Sequence, residues 1–321
     1  MKRFNLSLKI YIALYYSSPV TGTGSLFHDE AYEREIVEAL KVQFRLEPFS
    51  YAKHVKGSER ELHVVGAYTP VKGIFSVGWQ GWKELPAAEF VERLIEWHNG
   101  FMRDHSGEPF FPNQTPLIVK GELTWEELKS WAVNLARYAG TSFMYEGIAH
   151  FRAHLAGLKE VRDMIARHLF EETGHNEMLF DLLTGAFGMS REEAEREVSA
   201  HDIGDLHLTK RDLYYLKLCM EGHFVEIAAA QMLRERWIPK PTRQVAIALR
   251  KVYKIPERHL IHPDVHSYID IYHERFGQYI LAKYCVTKEL QEIAERAFKE
   301  AIIREYEGWR KFYETLRASK R

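Results

Sequence analysis

Apolar residues recur at intervals of three and four along most of the chain from residue 87 onward. This spacing places them on one face of an α-helix and predicts amphipathic helices. Two of these helices begin with a capping box, Thr124 with Glu127 and Ser190 with Glu193. The helices are predicted over residues 87–104, 124–156, 158–187, 190–200, 209–236, 241–254, 262–284 and 287–318. The sequence therefore predicts an all-α fold, a bundle of long helices.

The first 86 residues follow a different pattern. Residues 28–46 have helical periodicity, whereas residues 47–86 are broken by glycines and prolines between short β-prone pieces. We therefore predict an N-terminal elaboration over 1–86, made of loops with room for a short hairpin, that packs on the bundle. The bundle itself is predicted over 87–321 and carries the functional site.

Composition and charge narrow the classes of function. Hydrophobic residues make up 46% of the chain and charged residues 28%, as in an ordinary globular protein. The net charge of -1 gives no electrostatic attraction to nucleic acid or to an anionic membrane. No stretch approaches the ~20 apolar residues that cross a bilayer. Cys219 and Cys285 form no CxxC pair, which argues against a zinc–thiolate site and suits a reducing cytoplasm.

The strongest metal-ligand pattern is formed by His266, Asp270 and His273. Because a helix turns ~100° per residue, positions i, i+4 and i+7 lie within roughly 60° of one another. They share that arc with the apolar stripe of helix 262–284, so they are predicted to face the core. Burying three such groups is costly unless they share a partner, and a metal ion supplies one. The alternative, a hydrogen-bonded core network, suits a single histidine better than three groups on one stripe.

A second candidate pair lies on predicted helix 158–187. Glu172 and His175 are three residues apart, about 60° on the helix, within the buried stripe. Glu171 falls at the edge of that stripe. His168, one turn before Glu172, is either a rival ligand or a supporting residue.

A third candidate lies on predicted helix 209–236. Glu221 falls inside its apolar arc, whereas Glu226 falls well outside and is predicted to be a solvated surface acid. Lys217 also falls inside the arc, and we interpret it as a side chain that snorkels from a helix end.

Together these residues form one candidate ligand set: Glu172, His175, Glu221, His266, Asp270 and His273. Three carboxylates and three neutral imidazoles, without a thiolate, suit two ferrous or manganous ions better than zinc or calcium. A carboxylate can bridge two cations, and mixed oxygen and nitrogen ligation leaves open positions for dioxygen.

The order of these motifs resembles a known family. Glu-x-x-His at Glu172, a lone Glu221 and His-x3-Asp-x2-His from His266 are similar to the haem-oxygenase-like di-metal oxidases and oxygenases, the superfamily of thiaminase II and pyrroloquinoline-quinone synthase. The resemblance implies a helical bundle around a pocket with a di-iron or iron–manganese centre. It also implies that dioxygen oxidises a small organic substrate, with electrons from an external donor. A homodimer is left open.

Two departures and two alternatives accompany the resemblance. One branch of the family consumes its own tyrosine and is expected to have tyrosine and lysine at two positions where this chain has Met220 and Gln231. Self-sacrificing p-aminobenzoate synthesis is therefore not expected. A thiaminase-II-like hydrolase would need a cysteine nucleophile, for which Cys219 is the nearest candidate. The other alternative is a non-catalytic metal-binding or interaction protein on the same fold.

The pocket is expected to draw its lining from helices 124–156 and 262–284. Glu146, His150 and His154 are spaced at i, i+4 and i+8 on the first of these. That spacing places them on one face, which either lines the pocket or is solvated or hydrogen-bonded.

Overall fold

The computed structural model describes residues 82–139, 142–172, 175–199, 210–267 and 269–318. Within these ranges the chain is helical and contains no strand. The α-helices are α1 Ala88–Asp104, α2 Thr115–Lys120, α3 Trp125–Ala139, α4 Ser142–Leu155, α5 Lys159–Glu172, α6 His175–Gly185, α7 Arg191–Ser199, α8 Lys210–Glu221, α9 Phe224–Ile227, α10 Pro239–Lys251, α11 Ile261–His266, α12 Asp270–Tyr284 and α13 Lys288–Ala318. The predicted all-α class is confirmed. Of the predicted N-terminal elaboration, only residues 82–86 are described, and its predicted helix 28–46 lies outside the described residues.

Buried apolar side chains form two main clusters that divide the bundle. The first joins α1, α4, α5, α8, α12 and α13 with the segment 225–233. The second joins α2, α3, α6, α7 and α10 with the C-terminal half of α13, through Trp309. A smaller cluster of Met178, Val265 and Ile269 packs α6 against α11. None of the described helices is long and apolar enough to cross a membrane.

The predicted capping residues mark the starts of two helices. Before α3, the Thr124 amide donates to the Glu127 carboxylate (2.8 Å), and the Glu127 amide donates to the Thr124 hydroxyl (3.3 Å). Before α7, the Glu193 amide donates to the Ser190 hydroxyl at 3.0 Å. Each bond satisfies a backbone N–H that lacks a partner within the first turn.

The predicted helix 209–236 is interrupted, which corrects the expectation of one continuous rod. Helix α8 ends at Glu221, and α9 begins after His223. The His223 ring accepts a hydrogen bond from the Val225 amide, and the Glu226 carboxylate accepts one from the His223 amide at 2.7 Å. This is a capping box with histidine as its first residue, outside the usual Ser/Thr pattern. Glu226 is therefore a half-buried capping residue, and its prediction as a solvated surface acid is wrong.

An irregular stretch follows α9. A π-helical turn, Ala228–Met232, leads into a 3-10 turn, Leu233–Trp237, before α10 begins at Pro239. Both turns pack on α12. A Cβ atom built on Gly277 of α12 would lie 2.8 Å from the Cα atom of Leu233 and closer still to its backbone nitrogen. Glycine at this position therefore lets the two backbones approach closely. Leu233 lies two residues before Glu235, and Gly277 lies four residues after His273.

We expect Gly277→Ala to lower the free energy of unfolding by about 1–3 kcal/mol, because the added methyl group meets backbone atoms that have no rotamer to change. Gly147→Ala in α4 is the matched control, since outside its own helix backbone no atom of the described residues lies within 4 Å of its added Cβ. That variant should gain about 0.5–1 kcal/mol from helix propensity. Urea denaturation of both variants measures the difference. Equal effects of the two substitutions would contradict the close approach.

Candidate metal centre

Four buried side chains converge from three helical segments. His168 and Glu172 come from α5, Glu235 from the 3-10 turn 233–237, and His273 from α12. Each offers one ligand atom, and these atoms all lie within 4.8 Å of one another. We call these four residues the first group. Nitrogen and carboxylate oxygen atoms at such separations fit a single metal ion.

A second group contains Glu172, His175 and His266, whose ligand atoms also lie within 4.8 Å of one another. The Nδ1 atom of His175 is 3.1 Å from Oε2 of Glu172, and the rings of His175 and His266 are 4.6 Å apart between centroids. Glu172 belongs to both groups. A carboxylate in this position is able to bridge two cations, as in two-metal sites.

Three further carboxylates hold imidazoles of the two groups in place. Both carboxylate oxygens of Asp270 lie 3.0 Å from Nδ1 of His266. Oε2 of Glu146 lies 2.8 Å from Nδ1 of His168, and Oε2 of Glu171 lies 3.0 Å from Nε2 of His273. Glu171 in turn pairs with Arg167. Carboxylates bonded to the far nitrogen of a ligating imidazole fix its tautomer and its orientation.

The electrostatics of the two groups follow from their burial and mutual contact. Burial by itself lowers the pKa of His168, but the charges of Glu146 and Glu235 and the hydrogen bond to Glu146 together outweigh it and raise the pKa to about 10. Burial likewise lowers the pKa of His266, but the carboxylates of Asp270, Glu172 and Glu235 together outweigh it and raise the pKa to about 9. Burial would raise the pKa of Glu235, yet the charges of His168 and His273 hold it well below its usual range. Without a metal, imidazolium protons therefore balance the buried carboxylates.

Two buried atoms test whether the groups suit metal ions. Nε2 of His175 and Oε1 of Glu172 have no hydrogen-bond partner among the described residues. Leaving a buried polar atom unpaired costs roughly 1–3 kcal/mol, which coordination to a cation would offset. The donors are imidazole nitrogens and carboxylate oxygens, without a thiolate, as ferrous and manganous ions accept. The residues present fit such ions.

The structure brings together five of the six residues expected from the sequence. Glu172, His175, His266 and His273 are members of the groups, and Asp270 contacts the imidazoles of His266 and His273. Glu221 belongs to neither group; it is half-buried at the end of α8.

Glu235 was missed, although a sequence signal for it exists. On an uninterrupted helix it lies about 40° from Glu221, on the same apolar arc, but about 21 Å further along the axis. A helical wheel reports the angle of a residue and not its height, so it does not separate these two acids.

A cavity of about 710 Å³ adjoins both groups, because Glu172, Glu235 and His266 form part of its wall. Glu146 also lines the cavity, which agrees with one of the two alternatives predicted for the face of Glu146, His150 and His154. His150 is half-buried and His154 is exposed, and neither lines the cavity. The expected contributions of helices 124–156 and 262–284 are present. Residues 231–245 and 304–315 contribute as well.

A family model matches more than half of the chain. The sequence profile of a haem-oxygenase-like family described as iron-containing redox enzymes matches residues 129–304. This range contains every residue of both groups and most of the cavity lining. No curated protein matches the chain.

Because Glu235 and not Glu221 meets the imidazoles, Glu235→Ala should weaken metal binding by about 10–100-fold. Glu221→Ala is the matched control and should bind metal as the wild type does. Anaerobic titration with ferrous ion, followed by measurement of bound iron, compares the two. Loss of iron from the Glu221 variant alone would contradict this assignment.

The raised pKa values predict that metal binding releases protons. At neutral pH, His168 and His266 carry protons because their pKa values are about 10 and about 9. A coordinating imidazole nitrogen must give up its proton, so metal affinity should rise between about pH 6 and pH 9. Calorimetric titration with Mn²⁺ in buffers of different ionisation enthalpy counts the protons. A binding heat that does not depend on the buffer would argue against protonated imidazoles in the metal-free protein.

Proposed function

The chain belongs to the haem-oxygenase-like family of iron-containing redox enzymes, whose profile covers more than half of it, and from this membership we propose that it is a dinuclear iron, or iron–manganese, oxidase or oxygenase. Its co-substrate is dioxygen and its substrate a small organic molecule. The observation that carries the proposal is Glu172, a buried carboxylate common to two adjacent groups of candidate ligands.

We assign one ion to each group. His168, Glu172, Glu235 and His273 hold the first, and Glu172, His175 and His266 hold the second. When bound, the metal pair supplies the electrons and the open coordination positions that dioxygen activation needs. Asp270, which the sequence suggested as a ligand, orients the His266 imidazole in this assignment.

Residues of the chain would hold the substrate, limit the entry of water and retain a proton. Trp131 and Trp309 are almost fully buried and line the cavity, so they hold a substrate against the two groups and limit the entry of water. The pair of Glu146 and His168 retains a proton between Oε2 and Nδ1, because burial raises the pKa of Glu146 while Glu146 raises that of His168. That proton fixes His168 with its Nε2 atom towards Glu235, at 3.4 Å.

An external electron donor is part of the proposal. Reduction of dioxygen to water takes four electrons, and a two-electron oxidation of the substrate provides only half of them. A reductant of low molecular weight or a redox protein supplies the remainder.

The alternative of a thiaminase-II-like hydrolase receives no support from its nucleophile. Cys219 is fully buried, and burial raises its pKa well above the usual value. Its Sγ atom lies 3.7 Å from Oε1 of Gln231 as a hydrogen-bond donor, and Cys219 does not line the cavity. Cysteine nucleophiles instead lie exposed to substrate with a lowered pKa.

Anaerobic reconstitution should give about two metal ions per chain, as iron or as iron with manganese. Mixing the ferrous protein with oxygenated buffer should consume dioxygen and produce a transient visible absorption. Asp270→Asn keeps the shape of the side chain but removes the charge beside His266, so affinity should fall about 10–100-fold and the transient should weaken.

Asp264→Asn is the control, because Asp264 is a neighbouring acid that pairs with Arg250 outside the two groups. It should behave as the wild type in both iron content and stopped-flow absorbance. Tight binding of a single zinc ion without uptake of ferrous ion would contradict the proposed function.

A further inference from the structure

The cavity beside the metal centre has the dimensions of a small-molecule site. Its volume of about 710 Å³ lies within the range of roughly 300–1,000 Å³ that is usual for ligand pockets. Glu172, Glu235 and His266 form one part of its wall. A molecule in the cavity therefore lies directly against both groups of candidate ligands.

Aromatic rings line part of the remaining wall, beside charged side chains such as Arg304 and Lys311, and contacts hold several of the rings in fixed positions. The Trp131 indole N–H donates to the carbonyl oxygen and to the side-chain oxygen of Asn113, at 3.2 and 3.0 Å. The rings of Tyr145 and Tyr215 stack with their centroids 5.8 Å apart. Trp309 joins them. Rigid ring faces and edges favour a flat partner, because aromatic pairs stack or meet edge to face.

One polar side chain in this wall lacks a partner. Asn134 of α3 is 9% exposed, and its Nδ2 atom has no hydrogen-bond partner among the described residues. Nδ2 donates two hydrogen bonds and accepts none. Because a buried donor without an acceptor is costly, a group inside the cavity is expected to supply that acceptor.

A second unpaired atom lies near the metal centre. His262 is 6% exposed and lines the cavity, and its Nδ1 atom has no hydrogen-bond partner among the described residues. Its ring lies 4.4 Å from that of His266 between centroids. Besides Oε1 of Glu172, the cavity thus presents the amide donor of Asn134 and the imidazole nitrogen of His262 without hydrogen-bond partners among the described residues, beside several aromatic rings.

We propose that the substrate has a flat aromatic body and a carbonyl or carboxylate oxygen that accepts a hydrogen bond from Nδ2 of Asn134. His262 contacts a polar atom of the same molecule beside the metal centre. This inference rests on the proposed function, since it names the class of molecule that the same site oxidises. A flexible aliphatic chain fits less well, because it loses more conformational entropy between rigid walls.

The test uses the full metal-free chain and three probes. Naphthalene-2-carboxamide has the flat body and the acceptor, octanamide has the acceptor without the flat body, and 2-methylnaphthalene has the flat body without the acceptor. The fluorescence of tryptophans in the cavity wall, with calorimetry as a second measurement, reports binding. We expect naphthalene-2-carboxamide to bind at least about tenfold more tightly than either of the other two.

Asn134→Leu should weaken binding of naphthalene-2-carboxamide by about tenfold and leave that of 2-methylnaphthalene nearly unchanged. Asn99→Leu, at an exposed position of α1, is the matched control and should bind all three probes as the wild type does. If Asn134→Leu does not fold, Asn134→Ala takes its place, and the order of the probes on the wild-type protein remains an independent test.

Equal binding of octanamide and naphthalene-2-carboxamide would overturn the inference, as would an Asn134 variant with wild-type affinity. Iron content is measured separately. If the probes bind in the expected order but the chain takes up no ferrous ion, the proposed function fails and the binding site stands. If iron loads but none of the probes binds, the inference about the substrate fails and the metal centre stands.

Discussion

The structure depends on balancing charge where carboxylates and imidazoles are buried together. Glu172 and Glu235 lie inside the bundle beside His168 and His273, almost without contact to solvent. Unbalanced charges in such surroundings would cost several kcal/mol each. Imidazolium protons supply the balance in the metal-free protein, and cations would supply it more strongly because each attracts several ligands at once. The need for this balance links the packing of the bundle to its proposed chemistry.

A wider set of contacts keeps the charged groups in place. Arg234 pairs with Glu235 at 3.3 Å and also with Glu305 of α13. The last helix is thereby fixed to the segment that carries a candidate ligand. Arg167 pairs with Glu171 in the same way on α5. Removing one partner of such a buried pair is strongly destabilising, because the other charge is left unpaired. These pairs therefore limit how far the ligand-bearing segments can move.

The cavity and the metal centre divide the site into two environments. Carboxylates and imidazoles form one part of the wall, where ions are expected, and aromatic rings together with charged side chains form the other. A substrate held by the rings would therefore lie beside the proposed metal centre. In the proposed function, a metal pair would determine the type of reaction, while the aromatic rings and Asn134 would select the molecule that undergoes it.

The sequence by itself determined the helical class, the outer limits of most helical segments and the side of most helices that carries acids and imidazoles. It did not reveal the breaks within predicted helices 209–236 and 262–284, where α8 ends at Glu221 and α11 at His266. Periodicity contains that information, because a residue's angle around a helix depends only on its position in the chain. Which residues meet was decided by tertiary structure. Glu221 and Glu235 share one stripe, but only Glu235 lies at the level of His273, near the place where Gly277 lets α12 approach Leu233 closely. Height along a helix axis is set by packing between helices, and no pattern within one segment records it.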